Sequence, residues 1–427
     1  MTATDTTTVR VRTAAAQDPG DLLARLPEGV VFAWVRHGDG LVGWGEAHRV
    51  PVGTGAGRFP AAVAALEGWF AAADVDREID GAGTGPVAFA SMTFDPRTQG
   101  SQLVIPRVVV GRSGGRCWIT TVGGAAATLP DPTPLPEPTR IRYAGASAPE
   151  VRWLEAVDAV AGEIRTEGPL QKVVLARDLQ VWSAEPLDVR PILRRLSARF
   201  SGCWTFAAGG LVGATPELLV RRRGTAVESL VLAGSAPRGR DRAQDDEAAA
   251  ALARSHKDRV EHDLAVGSVV EVLTGLCSAV EAEDEPHLLR LPNVQHLATR
   301  VTGTLLQPLS ALAVAGALHP TAAVCGTPVE DAMGRIRELE RMDRGRYSGP
   351  VGWVDAAGDG EFGIALRCAE ISGTRGRLFA GAGIVGESLP ELELEETRLK
   401  LRAMQSALEA TPAAPYSSGG RKPPSSV

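Results

Sequence analysis

The chain has 427 residues, of which 44% are hydrophobic, and it carries a formal net charge of −6. A chain of this length can bury a large core, and an acidic balance without a dense Lys/Arg cluster argues against a nucleic-acid partner. No stretch approaches the roughly 20 apolar residues that a membrane span requires, so we expect no membrane partner either.

The five cysteines are scattered, odd in number and without a CxxC pair. This pattern predicts neither a disulfide framework nor a structural zinc site, and it fits a reducing cytoplasm. The N-terminus lacks a basic segment followed by an apolar one, so the sequence predicts no signal peptide.

The predicted elements begin after a polar segment, residues 1–18, that we expect to be flexible. Alternate prolines in residues 129–140 forbid helix and favour an extended linker. Residues 411–427, rich in Pro, Ser and Gly, are expected to be disordered.

Strand and helix patterns are intermixed after the linker. Residues 171–181 and 362–371 alternate with period two, as strands do. Residues 245 to about 276 are alanine-rich with acidic residues at their start, which predicts a helix, and residues 390–408 predict another. Because the two kinds of element do not strictly alternate, we predict the α+β class.

Two residues have the pattern of an acid–base pair. Lys172 lies on a strand face with Val174 and Ala176, and a lysine among apolar residues can be desolvated, which favours the neutral amine that a general base needs. Glu217 opens a buried strand, where a carboxyl can have a raised pKa and act as a general acid. Taken alone, an exposed edge-strand lysine and an ordinary turn residue explain these positions better.

Two pairs of carboxylates fall on two predicted helices. Glu393 and Glu396 share a helix face with Lys400, and Asp258 and Glu261 are spaced i, i+3 on the earlier helix. Such pairs suit a hard, oxygen-loving cation such as Mg²⁺. The alternative is two solvated helix faces with ordinary salt bridges.

Arg367 is a candidate for binding a ligand carboxylate. It shares its predicted strand face with Gly363, Ala365 and Ala369, whose small side chains leave room over the guanidinium. An arginine packed under a partner acid explains the pattern equally well.

Residues 381–386 form a literal GxGxxG. A dinucleotide-binding fingerprint must open a helix directly within a βαβ unit, whereas here residues 387–390 intervene and little chain remains. A nicotinamide oxidoreductase is therefore disfavoured, and a glycine turn that presents backbone N–H groups to an anion remains open.

The order of these signals is more informative than any one of them. From about residue 171 to 408 the sequence resembles the chorismate-utilising enzymes, which include isochorismate, salicylate, anthranilate and aminodeoxychorismate synthases. The blocks that carry the resemblance are KVVLAR (172–177), TPEL (215–218), LAGS (232–235), VEH (260–262), QHL (295–297), HPT (319–321), YSGPVG (347–352), ALR (365–367), AGAGIV (380–385) and EET (395–397) with Lys400.

The resemblance implies one large α+β domain, residues 19–410, in which antiparallel sheets pack as a sandwich with helices outside. Residues 129–140 would then be an excursion within that domain. The family also suggests a monomer.

A reaction on chorismate is implied as well, in which water attacks C2 while the C4 hydroxyl leaves. Lys172 would activate the water and Glu217 would protonate the departing hydroxyl. Because chorismate is a dianion, a metal and cationic side chains are needed to offset its desolvation. The resemblance assigns Mg²⁺ to Glu261 and Glu396, with Asp258 and Glu393 nearby. It assigns the substrate carboxylates and the pocket wall to Ser235, His296, Ala323, Tyr347, Arg367, Gly381 and Lys400.

Two positions select among family members. Ammonia-using members typically have glutamine where Lys172 stands, so the lysine indicates water. Salicylate and anthranilate types tend to carry threonine where Ala323 stands, whereas isochorismate synthases carry alanine. The expected activity is therefore isochorismate synthase, with salicylate synthase and a catalytically silent chorismate-binding protein as alternatives.

Overall fold

The computed structural model describes residues 8–132, 134–135, 140–166 and 168–409. Within them the strands are β1 (Arg10–Ala15), β2 (Val31–Arg36), β3 (Asp39–Trp44), β4 (His48–Arg49), β5 (Asp74–Arg77), β6 (Val87–Ser91), β7 (Gln102–Ile105), β8 (Val108–Ser113), β9 (Arg116–Val122), β10 (Arg142–Gly145), β11 (Lys172–Trp182), β12 (Trp204–Ala208), β13 (Leu211–Thr215), β14 (Leu218–Arg223), β15 (Ala226–Pro237), β16 (Cys277–Ala282), β17 (His287–Arg290), β18 (Val294–Leu305), β19 (Gly326–Thr327), β20 (Pro350–Asp355), β21 (Gly360–Ile364), β22 (Cys368–Ser372) and β23 (Arg375–Ile384). The helices are α1 (Arg58–Ala72), α2 (Glu150–Arg165), α3 (Val189–Arg199), α4 (Arg242–Arg254), α5 (His256–Leu276), α6 (Ala311–Leu318), α7 (Val329–Leu339) and α8 (Pro390–Leu408).

The strands form two large sheets. The first has the order β10-β11-β23-β22-β13-β12-β2-β3-β8-β9-β1-β5, with β19 beside β11. The second has the order β16-β18-β15-β14-β21-β20-β6-β7-β4, with β17 beside β18. Among the described strands, pairing is antiparallel except between β1 and β5.

Aromatic side chains fill the space between the sheets. Phe32 of the first sheet stacks on Phe89 of the second, with ring centroids 5.4 Å apart. Trp34 and Trp353, again one from each sheet, are buried in the same cluster. Burial of such large apolar surfaces is the main driving force for holding the sheets together, and the predicted sandwich is confirmed.

Helices cover the outer faces. Ala265 and Val269 of α5 belong to the cluster against the second sheet, and Leu401 and Met404 of α8 belong to the cluster against the first sheet. The α+β class with outer helices is therefore confirmed. None of the described helices is long and apolar enough to cross a bilayer.

Strand β1 corrects the expectation of a flexible segment through residue 18. Val11 and Thr13 are fully buried, and β1 pairs with β9 on one side and β5 on the other. The expectation was wrong for this stretch because pairing partners distant in sequence, rather than local composition, order it. Residues 1–7 and the predicted tail, 411–427, lie outside the described residues, and the described part of 129–140 contains neither helix nor strand.

The single helix predicted from residue 245 is two helices. α4 begins earlier, at Arg242, because the Asp241 side chain accepts a hydrogen bond from the Gln244 N–H. Ser255 then ends α4 and caps α5, where its side chain accepts from the Asp258 N–H. Capping side chains satisfy N–H groups that a helix start leaves free, and an alanine-rich pattern does not reveal them.

The strand predicted over residues 362–371 is interrupted as well. β21 ends at Ile364 in the second sheet and β22 begins at Cys368 in the first, so the chain crosses between the sheets here. Arg367 lies in this crossing with a left-handed φ of 48°, a conformation that costs free energy for a residue other than glycine. The prediction that Arg367 shares a strand face with small residues is therefore wrong. The crossing instead places its guanidinium in the lining of the cavity described in the next subsection.

A buried ion pair ties the first sheet to the segment after α6. Glu340 and Arg344 are almost fully buried and pair with each other. Arg344 donates to the backbone oxygens of Val324 (2.9 Å) and Val174 (2.7 Å), and Glu340 accepts from the Ala176 N–H (2.8 Å). The pair therefore holds β11 in register with residues that reach the cavity described below.

Replacing one partner of this pair should destabilise the protein strongly. In Arg344→Met, Glu340 stays buried without its cation, and we expect the free energy of unfolding to fall by about 3–5 kcal/mol. The double variant Glu340→Leu/Arg344→Met should lose less, because no lone charge remains. Urea denaturation followed by circular dichroism measures both, and a single variant no less stable than the double would contradict the expectation.

Candidate active site

Lys172, the first residue of β11, is fully buried. Its Nζ lies 3.3 Å from Oε1 of Glu261 on α5 and 3.4 Å from the backbone oxygen of the same residue. It is therefore not the exposed edge-strand lysine that the strand pattern alone favoured. The amine is desolvated, and a carboxylate from a helix on the other sheet holds it.

A glycine on the neighbouring strand makes room for this pair. Gly383 of β23 is opposite Val174, and a Cβ on it would lie 2.1 Å from Glu261 Oε1 and 3.1 Å from Lys172 Cε. Any larger residue would displace the carboxylate. Since residues 381–383 lie inside β23, they form neither a nucleotide-binding loop nor the anion-binding turn that the sequence left open.

Glu217 is a buried carboxyl between β13 and β14, with 4% of its surface exposed. Burial raises its pKa to about 8, although a hydrogen bond from the Leu232 backbone and the charges of Lys172 and Arg367 act in the opposite direction. The carboxyl therefore keeps its proton near neutral pH, as a proton donor must.

Ser235, His296 and Arg367 form a hydrogen-bonded series. Arg367 Nη2 donates to His296 Nε2 at 3.2 Å, and His296 Nδ1 lies 3.0 Å from Ser235 Oγ and 3.3 Å from the Gly234 oxygen. A nitrogen that accepts from a guanidinium carries no hydrogen, so the ring is neutral with its hydrogen on Nδ1. Burial and the Arg367 charge accordingly lower the pKa of His296 well below its usual range.

Tyr347 and Lys400 lie against Gly381 of β23, which has no side chain. The Tyr347 ring stacks on Phe379 at 5.0 Å between centroids, and its Oη would lie 3.2 Å from a Cβ at Gly381. Lys400 Nζ donates to the Gly381 oxygen at 2.9 Å. Burial raises the pKa of Tyr347 to about 12, so its hydroxyl is available as a hydrogen-bond donor near neutral pH.

One cavity joins these groups. Nine of the predicted residues line it: Glu217, Ser235, Glu261, His296, Ala323, Tyr347, Arg367, Gly381 and Lys400. Of the other four, Lys172 contacts Glu261, Glu396 pairs with Lys400, and Asp258 accepts a hydrogen bond from the Ser235 N–H at 3.3 Å. Glu393 is further from the lining and pairs with Lys257. The tertiary structure therefore brings the whole predicted set to one place.

Sequence reasoning missed several lining positions. Ser348 and Leu366 enter the cavity from a turn and from the crossing between the sheets, and no sequence period reveals either. Gly383 was part of a matched block but had no assigned role. Sequence reasoning also missed Lys257, which lies outside the cavity lining and whose ammonium pairs with Glu393.

Lysines accompany the acidic residues of α5 and α8. Three ion pairs result: Lys172 with Glu261, Lys257 with Glu393, and Lys400 with Glu396. Burial opposes ionisation of Glu396, but the Lys400 ammonium outweighs it and lowers the pKa of that carboxyl. Burial and the neighbouring charge of Glu396 raise the pKa of Glu393.

The donor chemistry of this cluster fits Mg²⁺, which prefers carboxylate oxygens. The charges of Glu393, Glu261 and Glu396 together outweigh burial and raise the pKa of Lys257, so three carboxylates act on one cation. In the part of the chain that the structure describes, however, no three acidic, His or Cys side chains form a ready metal cage. The lysines hold the carboxylates instead.

A larger cavity at the β2–β3 end of the sandwich is lined by Arg36, Trp204, Trp353 and Glu361 among others. Glu361 there accepts hydrogen bonds from the Trp34 and Trp204 indoles (2.8 and 3.1 Å). This cavity contains none of the predicted site residues. The smaller cavity is therefore the candidate active site: Glu217 and Glu261 line it, and the buried amine of Lys172 contacts Glu261.

Comparison with known proteins agrees with the matched blocks. Residues 6–409 match the family described as chorismate binding enzyme. Isochorismate synthase DhbC of Bacillus subtilis is 43% identical over 254 residues, which are 57% of this chain and 64% of that relative, so the alignment spans less than two thirds of its length. Isochorismate synthase MenF of Bacillus subtilis is 34% identical over 362 residues, 78% of this chain and 77% of the relative.

Solved structures agree on the fold. MenF, the menaquinone-specific isochorismate synthase from Escherichia coli, superposes with a TM-score of 0.77 at 26% identity and covers 94% of each chain. Anthranilate synthase component I from Streptococcus pneumoniae, 18% identical with a TM-score of 0.68, shares the fold alone. The resemblance stated from the motifs is confirmed over nearly the whole chain: this protein belongs to the family of chorismate binding enzymes.

Proposed function

We propose that this protein is a Mg²⁺-dependent isochorismate synthase, an isomerase that converts chorismate to isochorismate. The observation that carries the proposal is that Glu217, a carboxyl that keeps its proton, lines the same cavity as Glu261, the carboxylate that contacts the buried amine of Lys172. An exchange of one hydroxyl position for another requires one group that takes a proton and one that gives a proton. The names of the two Bacillus subtilis relatives support the same activity.

In this proposal Lys172 acts as the neutral amine, after its ammonium form has released a proton, and takes a proton from a water molecule that attacks C2 of chorismate. The C2–O bond forms, the two ring double bonds shift, and the C4–O bond breaks. Glu217 gives its proton to the departing hydroxyl, which leaves as water. One water enters and one leaves, so the product is an isomer of the substrate.

The substrate carries two carboxylates, and the cavity offers donors for both. Arg367, with His296 behind it, and the Tyr347 hydroxyl would bind the enolpyruvyl carboxylate through charge-assisted hydrogen bonds. Lys400 and the Gly381 backbone would flank the ring carboxylate. Ser235 and Ala323 would form the wall, and the small side chain at 323 leaves the C2 side open to water.

Glu261 and Glu396 would hold Mg²⁺, with Asp258 and Glu393 beside them. When bound, this ion supplies a localised positive charge against the ring carboxylate. The task of the chain itself is to hold these carboxylates in place, and Lys400 in addition lowers the pKa of Glu396.

We place the reaction in the cytoplasm, because the five cysteines are unpaired and buried and a reducing compartment suits them. We further propose that the protein acts as a monomer on a small-molecule substrate.

The reaction product tests the proposed activity directly. Purified protein with chorismate and Mg²⁺ should form isochorismate, a product of unchanged mass that liquid chromatography with mass spectrometry separates from chorismate. Chelation of Mg²⁺ should stop the reaction. A coupled lactate dehydrogenase assay should detect no pyruvate above background, and salicylate plus pyruvate as the main products would identify a salicylate synthase instead.

Lys172→Met should remove the base while keeping the length of the side chain. We expect kcat to fall by about 10²–10⁴-fold, whereas chorismate affinity, measured by calorimetry, changes little. Circular dichroism should show an intact fold. A variant whose kcat stays within a few-fold of the wild type would remove the proposed role of Lys172.

The pKa of Glu217 sets a pH limit on activity. Because its acidic form is required and its pKa in the ligand-free protein is about 8, kcat/KM should fall as the pH rises through about 8. Glu217→Gln should be inactive at every pH. A wild-type rate that stays constant up to pH well above 8 would contradict the role of Glu217 as the acid.

Protein stability gives an independent check on the same group. The folded protein keeps this proton up to about pH 8, whereas the unfolded chain loses it near the ordinary value of 4.5. The corresponding stabilisation is complete below the lower value and is lost as the pH rises through the higher one. Urea denaturation should therefore show the wild type losing stability relative to Glu217→Gln between these two pH values.

A further inference from the structure

Lysine is rare in this chain and is concentrated at the cavity. The sequence contains four lysines against 41 arginines. Three of them, Lys172, Lys257 and Lys400, fall within the described residues, and each pairs with a glutamate of α5 or α8. The fourth, Lys422, lies outside the described residues. Cationic side chains elsewhere in the described chain are therefore arginines and histidines.

The two cations differ in how they hold a carboxylate. Guanidinium presents a planar fork that engages both oxygens, whereas ammonium is a compact point charge with freely rotating donors. An ammonium partner therefore releases a carboxylate to another cation more readily than a guanidinium does. Lys172 and Lys400 have tasks in the proposed reaction, but Lys257 has none, and its retention as lysine requires a separate reason.

The contacts of Lys257 supply that reason. It lies on α5 one turn before Glu261, and its Nζ pairs with Glu393 on α8. The Glu393 side chain is 2% exposed, whereas that of Lys257 is 26% exposed. Glu261 and Glu396 also act on this ammonium. Removal of Lys257 would leave Glu393 buried beside another carboxylate with no cation of its own.

We propose that Lys257 is the resident counter-cation of the acidic cluster. It holds Glu393 in place while no divalent cation is bound, and it competes with Mg²⁺ for the cluster, so it sets the affinity for the metal. This inference rests on the proposed function, because it takes the carboxylates of α5 and α8 as the Mg²⁺ site. Lys257 is thus a positioning residue for the metal ligands and does not touch the reacting atoms.

Metal binding in the absence of chorismate tests the proposal. Calorimetric titration of chelator-treated, dialysed protein with MgCl₂ should show Lys257→Met binding Mg²⁺ roughly three- to tenfold more tightly than the wild type, the effect of removing one partly exposed competing charge. Titration with Mn²⁺ followed by electron paramagnetic resonance should give the same order. Unchanged or weaker binding by this variant would overturn the role of Lys257.

Thermal denaturation separates competition from simple loss of structure. In EDTA, Lys257→Met should melt at a lower temperature than the wild type because Glu393 lacks its partner, and saturating Mg²⁺ should remove most of that difference. Lys257→Arg should keep the melting temperature in EDTA but bind Mg²⁺ several-fold more weakly than the wild type, because the fork holds both oxygens. An arginine variant that binds Mg²⁺ more tightly than the wild type would contradict the competition.

Arg398→Met is the matched control. Arg398 lies on α8 two residues after Glu396 and makes exposed ion pairs with Glu395 and Glu150. The Arg398→Met variant removes one positive charge from α8 without changing a residue of the acidic cluster. Its affinity for Mg²⁺ should stay within about twofold of the wild type because solvent and salt screen exposed charges.

The outcomes for Lys257 and for the proposed function are distinguishable. If the wild type converts chorismate with Mg²⁺ but Lys257→Met binds the metal no more tightly, only the role of Lys257 is overturned. If the wild type binds Mg²⁺ but makes no isochorismate, the proposed activity fails while the competition measured on Lys257→Met still stands or falls by its own result.

Discussion

The contact between Lys172 and Glu261 is the interaction on which the rest of the site depends. It joins the first residue of β11 in one sheet to a helix that covers the other, and it takes the amine entirely and the carboxylate largely out of water. Such a pair is tolerated only when its geometry is good, because desolvation of two charges is costly. Gly383 provides the space and the Glu261 backbone oxygen provides a second acceptor. A side chain at 383 or a shift of β11 would leave the amine without its partner.

The surroundings of the carboxyl groups divide them into two kinds. Glu261, Glu393 and Glu396 each have a lysine partner, and for Glu396 this partner outweighs burial and lowers the pKa. Glu217 has no ion-pair partner among the described residues, and burial keeps its proton in place. The same side chain therefore serves two purposes according to whether an ammonium lies beside it.

Backbone conformation is held in place as firmly as charge. The buried pair of Glu340 and Arg344 binds both β11 and Val324, the residue after Ala323. The position of the Lys172 amine relative to the cavity wall is therefore fixed. Arg367 keeps a left-handed backbone in the crossing between the sheets and donates to a neutral His296. Strain of this kind persists only where the surrounding structure determines it, and here it aims a guanidinium at the cavity.

The sequence by itself determined the α+β class, strand β11, helix α8 and the family, because these depend on local periodicity and on short blocks in a constant order. It also named thirteen site residues that the fold brings to one cavity and its immediate surroundings. Only the tertiary structure decided that β1 is ordered, that Ser255 divides α4 from α5, that residues 362–371 cross between sheets, and that Lys257 belongs to the acidic cluster. Strand pairing, burial and ion pairing join residues that are far apart along the chain, and a local sequence pattern does not show which distant residues come together.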